Sequence, residues 1–120
     1  MWTYRQSTGA LTHGDPAVSA VAYSGFGPGL NVPDMEADPD VGPIPRGLWH
    51  IGPAVTHPRL GPLAMALTPV DFDPHGRSAF FIHGPGGADP ENSSEGCIVV
   101  PHNDRVAIAA LQPDTITVNA

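Results

Sequence analysis

The sequence predicts a mainly β domain of short strands with one short C-terminal helix. Three observations lead there. The 14 glycines and 15 prolines, about a quarter of the chain, interrupt it too often for long elements. The hydrophobic residues, 41% of the total, fall in short β-like runs, several with the two-residue alternation of a half-buried strand. Only one stretch, "PHNDRVAIAALQ", combines helical spacing with start and stop signals. At 120 residues the chain is expected to form a single domain, residues 1–120, around one modest core.

Taken in order, "WTYRQSTGALTHG" reads as two strands joined by a turn at Ser7-Thr8-Gly9. "AVSAVAYSG" predicts a third strand over Ala17 to Ser24, with Val18 and Tyr23 facing the core. "GFGPGLNVPDMEADPDVGPIPRG" reads as loop, its acidic residues a solvated face rather than a metal cage. "GLWHIGPAV" and "PLAMALTPV" predict the fourth and fifth strands, "DFDPHG" a turn, "RSAFFIHG" the sixth strand and "GCIVV" a short seventh. The helix is expected to be capped by Asn103 or Asp104, to bury Val106, Ala107, Ala110 and Leu111, and to stop at Pro113. "DTITVNA" closes the chain as a strand with Ile116 and Val118 on one face.

The formal charge is −7 and no basic cluster is present, so phosphate-backbone recognition is not expected and nucleic acid is set aside as a partner. The longest apolar run is far too short to cross a bilayer, so no membrane insertion is expected. The first residues lack a basic start followed by an apolar stretch, which predicts a protein made in the cytoplasm without a signal peptide. One cysteine allows no internal disulfide, and the six histidines show no zinc spacing. No metal or other cofactor is expected.

The chemistry concentrates in "FFIHGPGGADPENSSEGCIVVP". His83 ends one apolar run and Cys97 begins another, with a polar, turn-forming segment between them. A thiol attacks as thiolate, and an adjacent imidazole can take its proton and return it to a leaving group. Neighbouring strands in one sheet would bring the two together. Gly96 lets a carbonyl approach the backbone, so the N–H groups of Gly96 and Cys97 can face a developing oxyanion. Ser93 and Ser94 can hold the turn through hydroxyl-to-backbone bonds. The bland alternatives are a cysteine packed as a small hydrophobe and a core histidine. The polar "SEGC" context argues against the first.

At these residues the sequence resembles L,D-transpeptidase catalytic domains, whose signature runs histidine-glycine, spacer, serine-x-glycine-cysteine. Over nearly the whole chain, "WTYRQSTGAL", "YSGFGPGLN", "GPIPRGLWHIG", "LTP", "GRSAFFIHG" and "SEGCIVVP" occur in order as in the small L,D-transpeptidase-like effectors of bacterial type VI secretion, relatives of the YkuD-type catalytic domain. The resemblance implies an L,D-transpeptidase-like β-sandwich or barrel with Cys97 as nucleophile and His83 as general base. It also implies that the Gly84 carbonyl orients the imidazole, that Gly96 and Cys97 supply oxyanion donors, and that Ser94 shapes the turn. Two departures from the larger enzymes are Glu95, where they usually have histidine, and Val99, where they usually have asparagine or arginine.

Arg77 stands out in a chain with five basic residues. A guanidinium can pair with stem-peptide carboxylates, or it can form a surface salt bridge to Asp71 or Asp73. Arg46 reads as a turn residue, and His13, His50, His57, His75 and His102 as structural or surface groups.

The resemblance implies a peptidoglycan-directed acyl-transfer enzyme that cleaves the diaminopimelate–D-alanine bond of stem tetrapeptides, acting as a carboxypeptidase, by D-amino-acid exchange, or by cross-linking. As an antibacterial effector it would be injected into a target periplasm and have an immunity protein and a secretion-apparatus component as partners. The rival readings are a wall-binding or secretion-docking module without activity and a sortase-like transpeptidase using Arg105.

Overall fold

The computed structural model describes residues 1–14, 19–39, 41–84 and 96–120. Among the described residues, nine strands form one sheet, and a single α-helix packs on it. The strands are β1 (Trp2–Arg5), β2 (Ala10–His13), β3 (Ser19–Val21), β4 (Tyr23–Ser24), β5 (Gly47–His57), β6 (Gly61–Pro69), β7 (Phe80–His83), β8 (Ile98–Val99) and β9 (Asp114–Asn119). The helix α1 spans His102–Ala110. The sheet order is β3-β2-β1-β9-β5-β6-β7-β8-β4.

That order explains the architecture. β3 and β4 lie at opposite ends of the sheet, yet only Ala22 separates them in sequence. The sheet must therefore curl until its ends nearly meet, giving a nearly closed barrel. The joint is tight: the Ala22 N–H donates to the Gly9 carbonyl at 2.8 Å. A side chain on Gly9, whose φ is +75°, would run into the Ala22 carbonyl. The expected third strand is thus two, and its inward residues are Ala22 and Ser24, whereas Tyr23 is only half-buried. Val18 lies outside the described residues.

The β1–β2 hairpin and the β5–β6 hairpin form as their patterns predict, the latter running further into "THPRLG" than expected, with a turn over residues 58–60. Ile116 and Val118 of β9 both face the core, and β9 pairs parallel to β1 and antiparallel to β5. Trp2, Tyr4, Leu11, Trp49, Ile51, Met65, Ile82, Ile98 and Ile116 fill the interior. Edge contacts of Trp49 with Phe72 and Phe80, at ring separations of 5.3 and 4.8 Å, close the core beneath the candidate site.

The helix departs from its sequence reading in two ways. Its first turn follows Pro101 and takes no side-chain cap from Asn103 or Asp104. Its buried face is Arg105 and Ile108, leaving Val106 and Leu111 exposed. Counting apolar residues misplaced the face because a buried arginine lies on it. Among the described residues between Gly25 and Arg46 there are two single 3₁₀ turns, Gly27–Gly29 and Pro33–Met35. Of the acidic residues there, Glu36 is buried rather than solvated. No helix among the described residues is long and apolar enough to cross a membrane.

Candidate active site

β7 and β8 are adjacent and parallel, with Ile82 opposite Ile98 and His83 opposite Val99. Ile82 and Ile98 are fully buried in the core. Strand side chains alternate between faces, so His83 and Val99 share the other one. Cys97 immediately precedes β8, and carrying the pleat back one residue from Ile98 puts it in the row of Val99, diagonal to His83. The strand adjacency expected from sequence is therefore present. It also gives Val99 a structural task, since that residue faces His83 on one side and pairs with Tyr23 of β4 on the other.

His83 is buried, and its Nδ1 lies 2.7 Å from the carbonyl oxygen of Gly84. A carbonyl can only accept, so this contact assigns the proton to Nδ1 in the neutral ring and leaves Nε2 as the basic nitrogen. The main chain is pinned as well: the His83 carbonyl accepts from the Val100 N–H at 2.8 Å.

Above Gly84 lies Arg105 of α1. A side-chain carbon at Gly84 would come within 2.5 Å of its Nη2 and 2.7 Å of its Cζ. Nε of Arg105 donates to the Val100 carbonyl at 3.0 Å, and Nη1 to the Pro62 carbonyl at 2.7 Å. Burial lowers the Arg105 pKa from its ordinary value. The guanidinium thus ties α1, β6 and the residue after β8 together against Gly84, the residue after β7. Its helical neighbours gave no sequence signal for this; a lone arginine in an apolar stretch was the only hint.

On the other side, Cys97 is half-buried, with Sγ 3.8 Å from the Ala79 carbonyl oxygen. Ala79 has φ +63°, a sparsely populated conformation for a residue with a side chain. Gly96 has φ +121°, which L side chains rarely adopt, and a Cβ there would strike Nη2 of Arg77. Torsion and space both require glycine. The Gly96 carbonyl accepts from the Ser24 hydroxyl at 3.2 Å.

Arg77 is held by backbone. Its Nη1 donates to the carbonyls of Glu36 (2.5 Å) and Pro43 (2.8 Å), and Nη2 donates to that of Gly42 (3.0 Å). Its Cζ sits 5.2 Å from the Phe80 ring centroid, a stacking geometry. These bonds fasten Glu36, Gly42 and Pro43 beside Gly96. Glu36 in turn receives Arg46 Nε at 2.6 Å, Gln6 Nε2 at 3.2 Å, and stands 2.8 Å from His75 Nε2. Burial opposes its charge, but hydrogen bonds from His75, Gln6 and Arg46, with the Arg46 charge, outweigh it and hold the carboxyl below its ordinary range. Arg46 and His75, read from sequence as a turn residue and as a structural or surface group, are thus parts of one cluster.

Of the residues singled out from sequence, the structure brings His83 and Gly84 into contact, sets Gly96 and Cys97 just ahead of the strand that pairs with β7, and packs Arg77 against Gly96. Ser93, Ser94 and Glu95 lie outside the described residues. Ser24 and Arg105 belong to the same neighbourhood, although the sequence placed the first on a strand and the second only in a rival scheme.

No curated protein and no solved structure matches the chain. A family model does: the Tlde1 domain matches residues 19–116, which takes in Ser24, Arg77, His83, Gly84, Gly96, Cys97 and Arg105. The chain therefore belongs to the Tlde1 domain family, a family of type VI secretion effectors.

Proposed function

We propose that the protein is a cysteine acyl-transfer enzyme acting on peptidoglycan stem peptides, with Cys97 as nucleophile and His83 as general base, and that it serves as an antibacterial effector. The observation that carries this reading is the parallel pairing of β7, which ends at His83, with β8, which follows Cys97, together with an imidazole Nδ1 already committed to the Gly84 carbonyl. With Nδ1 holding its proton, Nε2 is the nitrogen that takes the thiol proton.

The reaction follows. The Cys97 thiolate adds to the carbonyl carbon of the diaminopimelate–D-alanine bond, and the carbonyl electron pair moves to oxygen, toward the N–H groups of Gly96 and Cys97. The intermediate collapses, the C–N bond breaks, and the imidazolium returns its proton to the departing D-alanine amine. A thioester remains. Water releases the trimmed peptide and restores the thiol; a D-amino acid gives exchange, and a second stem's amine gives a cross-link. Arg77 and the loop it holds form one wall beside Gly96, where a stem carboxylate would be met by positive charge. Delivery into a target periplasm and neutralisation by an immunity protein belong to the same reading.

The test is digestion of tetrapeptide muropeptides followed by mass spectrometry. Loss of one alanine, or its exchange for an added D-amino acid, is expected from the wild type. Neither product is expected from Cys97→Ala or His83→Ala. Binding of muropeptides without any product would instead support a non-catalytic wall-binding module.

A further inference from the structure

Ser24 is a fully buried polar residue in β4, and the reaction above makes no use of it. Its hydroxyl oxygen accepts the Ile44 N–H at 2.8 Å. That bond uses a lone pair, so the hydroxyl proton is directed to its other neighbour, the Gly96 carbonyl, at 3.2 Å. The strand itself is fixed on both sides of the hydroxyl. The Ser24 N–H donates to Asn31 Oδ1 at 3.1 Å, and Ser24 pairs with Ile98 across the β4–β8 ladder.

The consequence comes from peptide geometry. Gly96 and Cys97 share a planar trans amide, in which the C=O and the next N–H point in opposite directions. Holding the Gly96 carbonyl toward Ser24 therefore aims the Cys97 N–H away from Ser24. Gly96 is the residue that most needs such a hold. With φ at +121° and no side chain, it keeps the conformational freedom of a glycine.

We infer that Ser24 is a positioning residue, which aims the Cys97 amide as an oxyanion donor by hydrogen-bonding the Gly96 carbonyl. This rests on the acyl-transfer reading. The role differs from that of His83: Ser24 sets the electrostatics of the tetrahedral intermediate and leaves the ionisation of the thiol alone.

The experiment compares wild type, Ser24→Ala, Ser24→Thr and Asn31→Ala on a tetrapeptide muropeptide. Beside turnover, it records the pH profile of Cys97 alkylation by iodoacetamide, with thermal melts to verify folding. Ser24→Ala is expected to lower kcat about tenfold to a hundredfold, with KM and the alkylation profile unchanged. Ser24→Thr keeps the hydroxyl and is expected to recover most of the rate; it carries the test if the alanine variant does not fold. Asn31→Ala loosens β4 without removing the hydroxyl and is expected to keep kcat within about threefold. Normal kcat in Ser24→Ala, or equal losses in Ser24→Ala and Asn31→Ala at equal melting temperatures, would overturn the inference alone. A wild type that alkylates but turns over no muropeptide would overturn the acyl-transfer reading, and this inference with it.

Discussion

Gly84 and Gly96 flank the two chemical groups of the candidate site, and each lies under a guanidinium, but the two arginines are anchored in different material. Arg105 donates to the carbonyls of Val100, just past β8, and Pro62, in β6, and is itself part of α1. Arg77 donates only to loop carbonyls among its contacts above, those of Glu36, Gly42 and Pro43. The loop is fastened by Glu36, whose partners include the exposed His75 and Arg46. The imidazole therefore rests on sheet and helix, whereas the thiol's glycine rests on a loop secured by an ionisable cluster. Disturbances of charge should reach the cysteine side first.

The most damaging way to probe the comparison is Gly96→Ala. The change adds a side chain at φ +121° and drives it into Arg77 and Phe80. A loss of about 4 kcal/mol of stability is expected, with muropeptide turnover abolished, as denaturant titration and product mass spectra would show. Gly84→Ala meets only the end of a side chain, so a clearly smaller loss is expected; equal losses would mean that the two junctions do not differ.

Arg105→Ala comes next. It leaves the buried Val100 carbonyl and the Pro62 carbonyl without that donor and opens space over Gly84, for an expected cost of about 3 kcal/mol in urea denaturation. Arg77→Lys is milder, about 1–2 kcal/mol, because an ammonium cannot span the same three carbonyls. If Arg77 also meets substrate, the lysine variant should raise KM more than the stability loss explains.

Acid titration separates the two sides without mutation. A carboxyl whose folded pKa lies below its unfolded one contributes stability that is complete above the ordinary carboxylate range, about pH 4. That contribution is lost as pH falls through the folded value. Glu36 is one such group. Asp114 is another: burial resists its charge, but the Thr115 N–H, the amino terminus and His13 together lower its pKa. Melting temperature should therefore fall below about pH 4, and Glu36→Gln should flatten part of that decline at a neutral-pH cost of about 1 kcal/mol. An unchanged acid limb in Glu36→Gln would remove the cluster from the account. The smallest effect is expected from Val106→Ser, within about 0.5 kcal/mol, because the residue faces solvent.

These contrasts also mark where the sequence was readable. Elements whose evidence is local were legible: the hairpin closed at Gly9, the alternation of Ile116 and Val118, and the span of the single helix. The pairing of the strand that ends at His83 with the strand that follows Cys97 was legible too, because both residues sit at the borders of strand-like runs. Ala22 was not, since nothing in "VSAVAYSG" marks a single residue joining opposite ends of a sheet. Arg105 and Glu36 were missed for a common reason. Each is a charged residue buried by partners distant in sequence, and hydropathy pattern assigns such residues to the surface. Ser24 reads as an ordinary strand serine until Gly96 and Ile44 are seen around it.

The order of the strands has a kinetic side. β1, β2 and β3 reach the rest of the sheet through β9 alone, apart from the Ala22 joint, and the pairing of Trp2 with Ile116 spans almost the whole chain. Drawing together segments so remote costs loop entropy before any of that contact is recovered. The barrel should consequently assemble slowly for its size, in milliseconds to seconds rather than microseconds, with the β5–β6 hairpin as the natural early nucleus and the β1–β3 segment joined to the rest only once the final strand is in place.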